Sequence, residues 1–151
     1  MTMQVELVMP EGEVWSGPAE LVIAKTLDGD IGVLTNHTPV LGILVQGSLV
    51  TIRPKAAEQN DQAANGPGHG EGGRDIVAAV DGGFFAVADN RVSILAHQAQ
   101  LGAQVDTAAA RAAVDKALQE AAGTAEGDEE PAGLSYNRAL LRAAGEPDDR
   151  A

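Results

Sequence analysis

The sequence has no cysteine. Disulfides, zinc thiolates, iron–sulfur ligation and a cysteine nucleophile are therefore excluded, and a reducing compartment suits the chain. Aromatic residues are scarce, with two Phe, one Tyr and one Trp among 151 residues, so any core must be aliphatic. Positive charge is also short. Ten Lys and Arg against 22 Asp and Glu leave a net charge of −12, which argues against nucleic-acid binding, because that needs a basic surface. Much of the acid falls late, at Glu126, Asp128, Glu129 and Glu130 and again at Glu146, Asp148 and Asp149, as solvated linker and terminus. No run reaches the ~18 apolar residues of a membrane-spanning helix. The first nine residues lack the basic and apolar regions of a signal peptide. A soluble, cytoplasmic chain is expected, one still able to dock on a membrane complex.

Chemistry is equally sparse. The histidines, His37, His69 and His97, have no second His or Cys at ligand spacing, so no metal site is expected. Ser16, Ser48, Ser93 and Ser135 lack a nucleophile-elbow context. The glycine run around His69 lacks the Gly-Lys-Ser/Thr ending of a phosphate loop. Asp28 and Asp30 are turn residues before they are a carboxylate dyad. No catalytic residue is assigned, and nothing in these residues builds a reaction centre.

What is present is organised in two parts. Gln4–Met9 alternates apolar and polar residues, and further short strands are predicted at Glu13–Ser16, Ala19–Thr26, Ile31–Leu34, Val40–Val45, Gly47–Arg53, Asp75–Val80, Phe84–Ala88 and Arg91–Leu95. Asp28-Gly29 and Asp89-Asn90 supply turns. Short strands at this spacing predict a flattened β-sandwich or barrel of antiparallel strands over residues 1–104. Residues 54–74 have no aliphatic side chain larger than alanine, so they read as a flexible insert between two paired strands. From Asp106 the period changes. Ala110, Ala113, Val114, Ala117, Leu118 and Ala121 fall on one helical stripe, with Asp106 as N-cap and Gly123 at the C-terminal end. After an acidic linker, Ser135 is expected to cap a second helix that presents Tyr136, Ala139, Leu140 and Ala143 and stops at Gly145-Glu146-Pro147. Residues 105–151 thus form a C-terminal two-helix hairpin, whose short second helix must gain its order from packing.

Three stretches, taken together and in order, resemble one family. They are Gly29-Asp30-Ile31-Gly32-Val33-Leu34-Thr35-Asn36-His37-Thr38-Pro39-Val40-Leu41 with Gly47-Ser48-Leu49-Val50, then Gly82-Gly83-Phe84-Phe85 through Asn90-Arg91-Val92 to Ala96, then the switch to an alanine-rich helix at Val105-Asp106. Each alone is turn or hairpin chemistry. Their combination is similar to the epsilon subunit of the rotary F-type ATP synthase (delta in mitochondria), and the resemblance covers residues 3–122 apart from the insert. It implies a non-catalytic rotor subunit in the central stalk, bound to the gamma subunit and the membrane c-ring, peripheral on the cytoplasmic face of the cell membrane, coupling proton-driven rotation to ATP synthesis. Asp30, Asn36, His37, Thr38 and Pro39 are then expected at the bottom of the sandwich, facing the c-ring. The tail, through Arg111, Lys116, Arg138 and Arg142, is expected to meet the catalytic head and restrain ATP hydrolysis.

Some members bind ATP through (I/L)DxxRAxxAxxRA. Here Asp106 matches, Ala109 stands for the first Arg and Lys116 for the second. Lysine does not replace the planar, bidentate phosphate donor. Asp106 and Arg111 are what remains for such a site, and no resident cofactor is expected. A reading from another class is a free-standing β-sandwich adaptor with a helical dimerisation tail.

Overall fold

The structure, a computed structural model, describes residues 2–55, 75–123 and 133–145. Nearly all of the expected insert, all of the expected acidic linker Thr124–Gly133 except Gly133, and Glu146-Pro147 of the expected stop lie outside the described residues.

The strands are β1 (Met3–Met9), β2 (Gly12–Thr26), β3 (Gly29–Leu34), β4 (Val40–Pro54), β5 (Ile76–Ala88), β6 (Arg91–Ala96) and β7 (Ala99–Leu101). Three of them are longer than the short runs expected, because each bends and serves two sheets. In β4 the register shifts between Gln46 and Ser48, around Gly47 at φ 64°. In β5 the bend is Gly82-Gly83, at φ 73° and 126°. A Cβ on Gly83 would lie 2.8 Å from the Cα of Ala96, so only glycine lets β6 close in there. In β2, Gly17-Pro18 does not end the strand as the sequence suggested. Its first half pairs with β1 and its second half with β3 and β4.

One sheet therefore runs β3, the second half of β2, the second half of β4, the first half of β5, then β7. The other runs from the first half of β2 through β1, β6 and the second half of β5 to the first half of β4. The expected all-antiparallel pairing has one exception. β1 lies parallel to β6, with Gln4 opposite Arg91 and Val8 opposite Leu95. The two strands are far apart in sequence, so no tight turn forces them antiparallel. Beyond the last predicted strand, the chain adds β7 and then a 3₁₀ turn at Gly102–Gln104.

Alternate side chains from both sheets fill the space between them. Met3, Val5, Leu7, Val22, Val50, Ile52, Phe85, Val92, Ile94 and Leu101 are all buried, a largely aliphatic core. A second, smaller cluster sits outside the first sheet and joins the helices to Leu49 and Ala79, cross-strand partners on β4 and β5.

Helix α1 spans Thr107–Ala122. Asp106 caps it as expected, its Oδ1 accepting the Ala109 N–H at 3.0 Å. The predicted stripe faces inward, but only Ala110 is fully buried. Gly123 ends the helix at φ −86°, so it does not act as a left-handed glycine cap. Helix α2 spans Leu134–Ala143. Its N-cap is Gly133 at φ 79°, not Ser135, which lies inside the helix. Asn137 reinforces that start, its Nδ2 donating to the Gly133 carbonyl at 2.8 Å. Helix α2 lies between α1 and the sheet and buries Leu134, Ala139, Leu140 and Leu141.

Candidate functional surface

The surface around β3 and β4 carries the loop singled out in the sequence. Asn36 turns the chain at φ 65°. The His37 N–H donates to the Leu34 carbonyl at 3.1 Å, and His37 Nδ1 lies 2.7 Å from the Thr38 carbonyl, so the ring folds back on its own loop. Asn36 also meets the tip of the β5–β6 hairpin. Its N–H donates to Asn90 Oδ1 at 2.6 Å, and Asn90 Nδ2 donates to Asn36 Oδ1 at 3.1 Å. Asp89 and Asn90, at φ 49° and 58°, make the left-handed turn expected of that pair.

Asp30 is at the other end of β3, opposite Lys25 on β2 and beside the turn that Thr26 Oγ1 closes onto the Gly29 carbonyl at 2.8 Å. At about 3.3 Å per residue, the strand separates it from Asn36 by roughly 20 Å. Asn36, His37, Thr38 and Pro39 are thus one cluster, and Asp30 is a separate point on the same edge.

An apolar surface begins two residues after Pro39. Leu41 and Ile43 point outward from β4 and are 72% and 50% exposed. Phe84, opposite Ile43, and Leu95, opposite Phe84, continue the row across β5 and β6 at 52% and 49% exposure. Leu27, also exposed, reaches the same corner, its N–H donating to the Ile43 carbonyl at 2.9 Å. A polar rim bounds the row where Ser93 Oγ donates to Glu6 Oε1 at 2.8 Å. Contiguous apolar surface edged by polar groups marks a docking site rather than scattered exposure. Sequence reasoning missed it. The one available signal was the pair Phe84-Phe85, because adjacent strand residues face opposite sides and the two rings cannot both be in the core.

The tail residues are dispersed. Arg111 is on the exposed face of α1. Lys116 lies 3.9 Å from Glu120 in an exposed i,i+4 pair, worth little. Arg138 is half-buried on α2. Arg142 reaches the sandwich, its Nη2 donating to the Gly47 carbonyl at 3.1 Å. For a nucleotide, Asp106 and Arg111 are poorly placed. Asp106 is engaged as a cap, and five residues of helix put the two about 140° apart around its axis. Among the described residues, no group of three or more His, Asp or Glu could hold a metal ion.

A model of the family described as ATP synthase, Delta/Epsilon chain, beta-sandwich domain matches residues 2–67. A protein of Thermobifida fusca named ATP synthase epsilon chain is 43% identical over 141 residues, 93% of this chain and 90% of that protein. One of the same name from Frankia casuarinae is 45% identical over 101 residues, 67% of this chain and 99% of the relative. The fold also matches a chain in the Euglena gracilis mitochondrial ATP synthase, in a structure of OSCP, F1 and c-ring. The TM-score is 0.65 at 16% identity, covering 95% of this chain and 79% of that one. A chain from the central stalk and c-ring of the Tetrahymena thermophila mitochondrial ATP synthase matches with a TM-score of 0.52 at 19% identity, covering 95% and 91%.

Proposed function

This chain belongs to the ATP synthase epsilon chain family, and from that premise we propose that it joins gamma to the c-ring in the rotor, with the exposed row Leu41, Ile43, Phe84 and Leu95 as its gamma-binding face. Membership makes it a non-catalytic subunit and sets aside the free-standing adaptor. The observation that carries the docking assignment is the row itself. Four large apolar side chains aligned across three strands would cost free energy in water and release it, about 25 cal/mol per Å², when covered. The loop Asn36–Pro39 leads directly into the row, so one surface can touch the ring at its loop end and gamma along β4, β5 and β6. Asp30 is a second, separate ring contact in this reading.

Association with the membrane is then peripheral, through the complex. No helix among the described residues is long and apolar enough to cross a bilayer. The cytoplasmic face is the side on which the head and stalk of a bacterial enzyme would place it. Residues 1–104 and 105–151 act as two units, rotor link and regulatory tail, and the tail restrains ATP hydrolysis by meeting the head through its cations.

Two variants test these assignments. Phe84→Glu places a charge in the centre of the row without touching the core and should weaken gamma binding by at least about tenfold, since a buried unpaired charge is costly. Unchanged gamma affinity would remove the row from the interface. Deleting residues 105–151 should raise ATPase activity of the assembled enzyme while leaving assembly intact; unaltered hydrolysis would sink the inhibitory role.

A further inference from the structure

Asn90 does more than its turn requires. A left-handed residue at a hairpin tip needs only a backbone that tolerates positive φ, and glycine meets that need best. The carboxamide of Asn90 is instead spent outside the turn. Its oxygen takes the Asn36 N–H at 2.6 Å, and its nitrogen donates to Asn36 Oδ1 at 3.1 Å. The Asn90 carbonyl accepts the Gln4 N–H at 2.9 Å. One residue therefore ties the hairpin tip to the β3–β4 loop and to the start of β1. The pattern also fixes the orientation of both amides, because only an oxygen can face the Asn36 N–H and only a nitrogen can face an oxygen.

The bonds within the loop, from His37 to Leu34 and from His37 to Thr38, shape it but do not place it relative to the second sheet. The Asn90 carboxamide does. It anchors residue 36, the left-handed hinge that leads into His37, Thr38 and Pro39. A loop held in its bound shape loses less entropy when a partner closes on it.

We propose that Asn90 is a positioning residue for the Asn36–Pro39 loop, its carboxamide holding the loop in the form presented to the c-ring. The inference rests on the reading that this loop meets the ring. It adds a residue on another strand pair, remote in sequence, that acts through Asn36.

The test uses the full-length chain, binding separately to purified gamma and to the c-ring of the same enzyme. Asn90→Gly keeps the left-handed turn and deletes both amide bonds. Two hydrogen bonds of ordinary net strength predict a fall in c-ring affinity of about five- to thirty-fold. Gamma affinity should stay at the parent value and the thermal midpoint should fall by only a few degrees, whereas a general loosening of the sandwich would lower both. Asn90→Asp should retain most of the ring affinity, because a carboxylate still accepts the Asn36 N–H and can accept its amide N–H after a flip. His37→Glu, at the loop itself, is the control. If His37→Glu weakens ring binding and Asn90→Gly does not, the positioning role is overturned and the docking surface stands. If neither variant alters ring affinity, the loop is not a ring contact and both readings fall.

Discussion

The sandwich and the helical tail are held by different amounts of the same force. In the sandwich, buried side chains from every strand meet in one continuous core. In the tail, α1 buries only Ala110, and its packing is chiefly against α2. Helix α2 in turn owes its place to Ala139, Leu140 and Leu141 against a small patch around Leu49 and Ala79. The order of dependence is sandwich, then α2, then α1. A rotor link needs the first to be rigid under load. The proposed regulatory role would need the second to be releasable without unfolding the first, and release would then turn on α2.

The comparison breaks most completely if the shared foundation goes. Phe85 is the largest fully buried side chain. Phe85→Ala should cost about 3–5 kcal/mol and remove both regions in one transition, because α2 has no sheet to rest on once β5 fails. A tail that melted separately, after the sandwich, would contradict the order of dependence.

A sharper test undocks the tail alone. Gly102 sits under the C-terminal end of α2, where an added Cβ would lie 2.6 Å from the Ala143 carbonyl carbon and 3.2 Å from the Val77 carbonyl oxygen. Gly47 does the same under its N-terminal end, 2.6 Å from the Cβ of Ser135. Both obstacles include backbone, so neither can step aside cheaply. Gly102→Val should cost docking about 1–3 kcal/mol. Helical circular dichroism should then melt early, while the fluorescence of Trp15, buried in the sandwich, keeps its parent midpoint. Coincident loss of both signals would mean that the two regions are one cooperative unit.

These two glycines also show how far the sequence reaches. The stripe on α1 was legible because 3.6-residue periodicity survives wherever one helix face is covered. The sandwich was legible through alternation and turn residues such as Asp28-Gly29 and Asp89-Asn90. The exposed row was not, because the strands that carry it are apolar on both faces, and Leu41 and Phe84 look like core in one dimension. Nor could glycines that admit a helix, as at 47 and 102, be told from glycines that only bend a strand. Ser135 was expected to cap α2 because Ser is a good cap, yet Gly133 starts the helix two residues earlier and gains Leu134 as a buried anchor. The clasp of Asn36 and Asn90, 54 positions apart, has no local signature at all.

A smaller effect separates the regions by pH. Tyr136 on α2 is half-buried, and burial, aided by the negative charge of Asp81 on β5, raises its pKa above the ordinary value of 10.0. The docked tail therefore favours the neutral phenol. Docking should be at full strength below pH about 10, where tyrosine is neutral in either state, and should weaken as pH rises through the raised value. Tail helicity should fall on that alkaline limb ahead of the sandwich signal, and Tyr136→Phe should abolish the fall. A parent-like alkaline limb in the Phe variant would assign the loss to other groups.

The smallest effect belongs to the clip that flanks the insert. Arg53 Nε lies 2.9 Å from Asp75 Oδ1, and Arg53 Nη2 lies 3.1 Å from Asp75 Oδ2, a two-pronged pair at the mouth of residues 54–74. The Arg53 hydrogen bond holds the Asp75 carboxyl below its ordinary pKa. Any stability it adds is therefore complete above the ordinary carboxylate range and lost as pH falls through the lowered value. The pair is exposed to solvent, and the strands behind it are already registered by Ile52 opposite Ile76 and Thr51 opposite Val77. The clip thus fastens ends that the sheet has already brought together. Asp75→Asn should remove the acid-side dependence and barely move the thermal midpoint, and replacing residues 56–74 by a short Gly/Ser turn should leave gamma and c-ring affinities unchanged. A large fall in midpoint from Asp75→Asn would mean that the pair, and not the hydrophobic register beneath it, closes the sandwich at this edge.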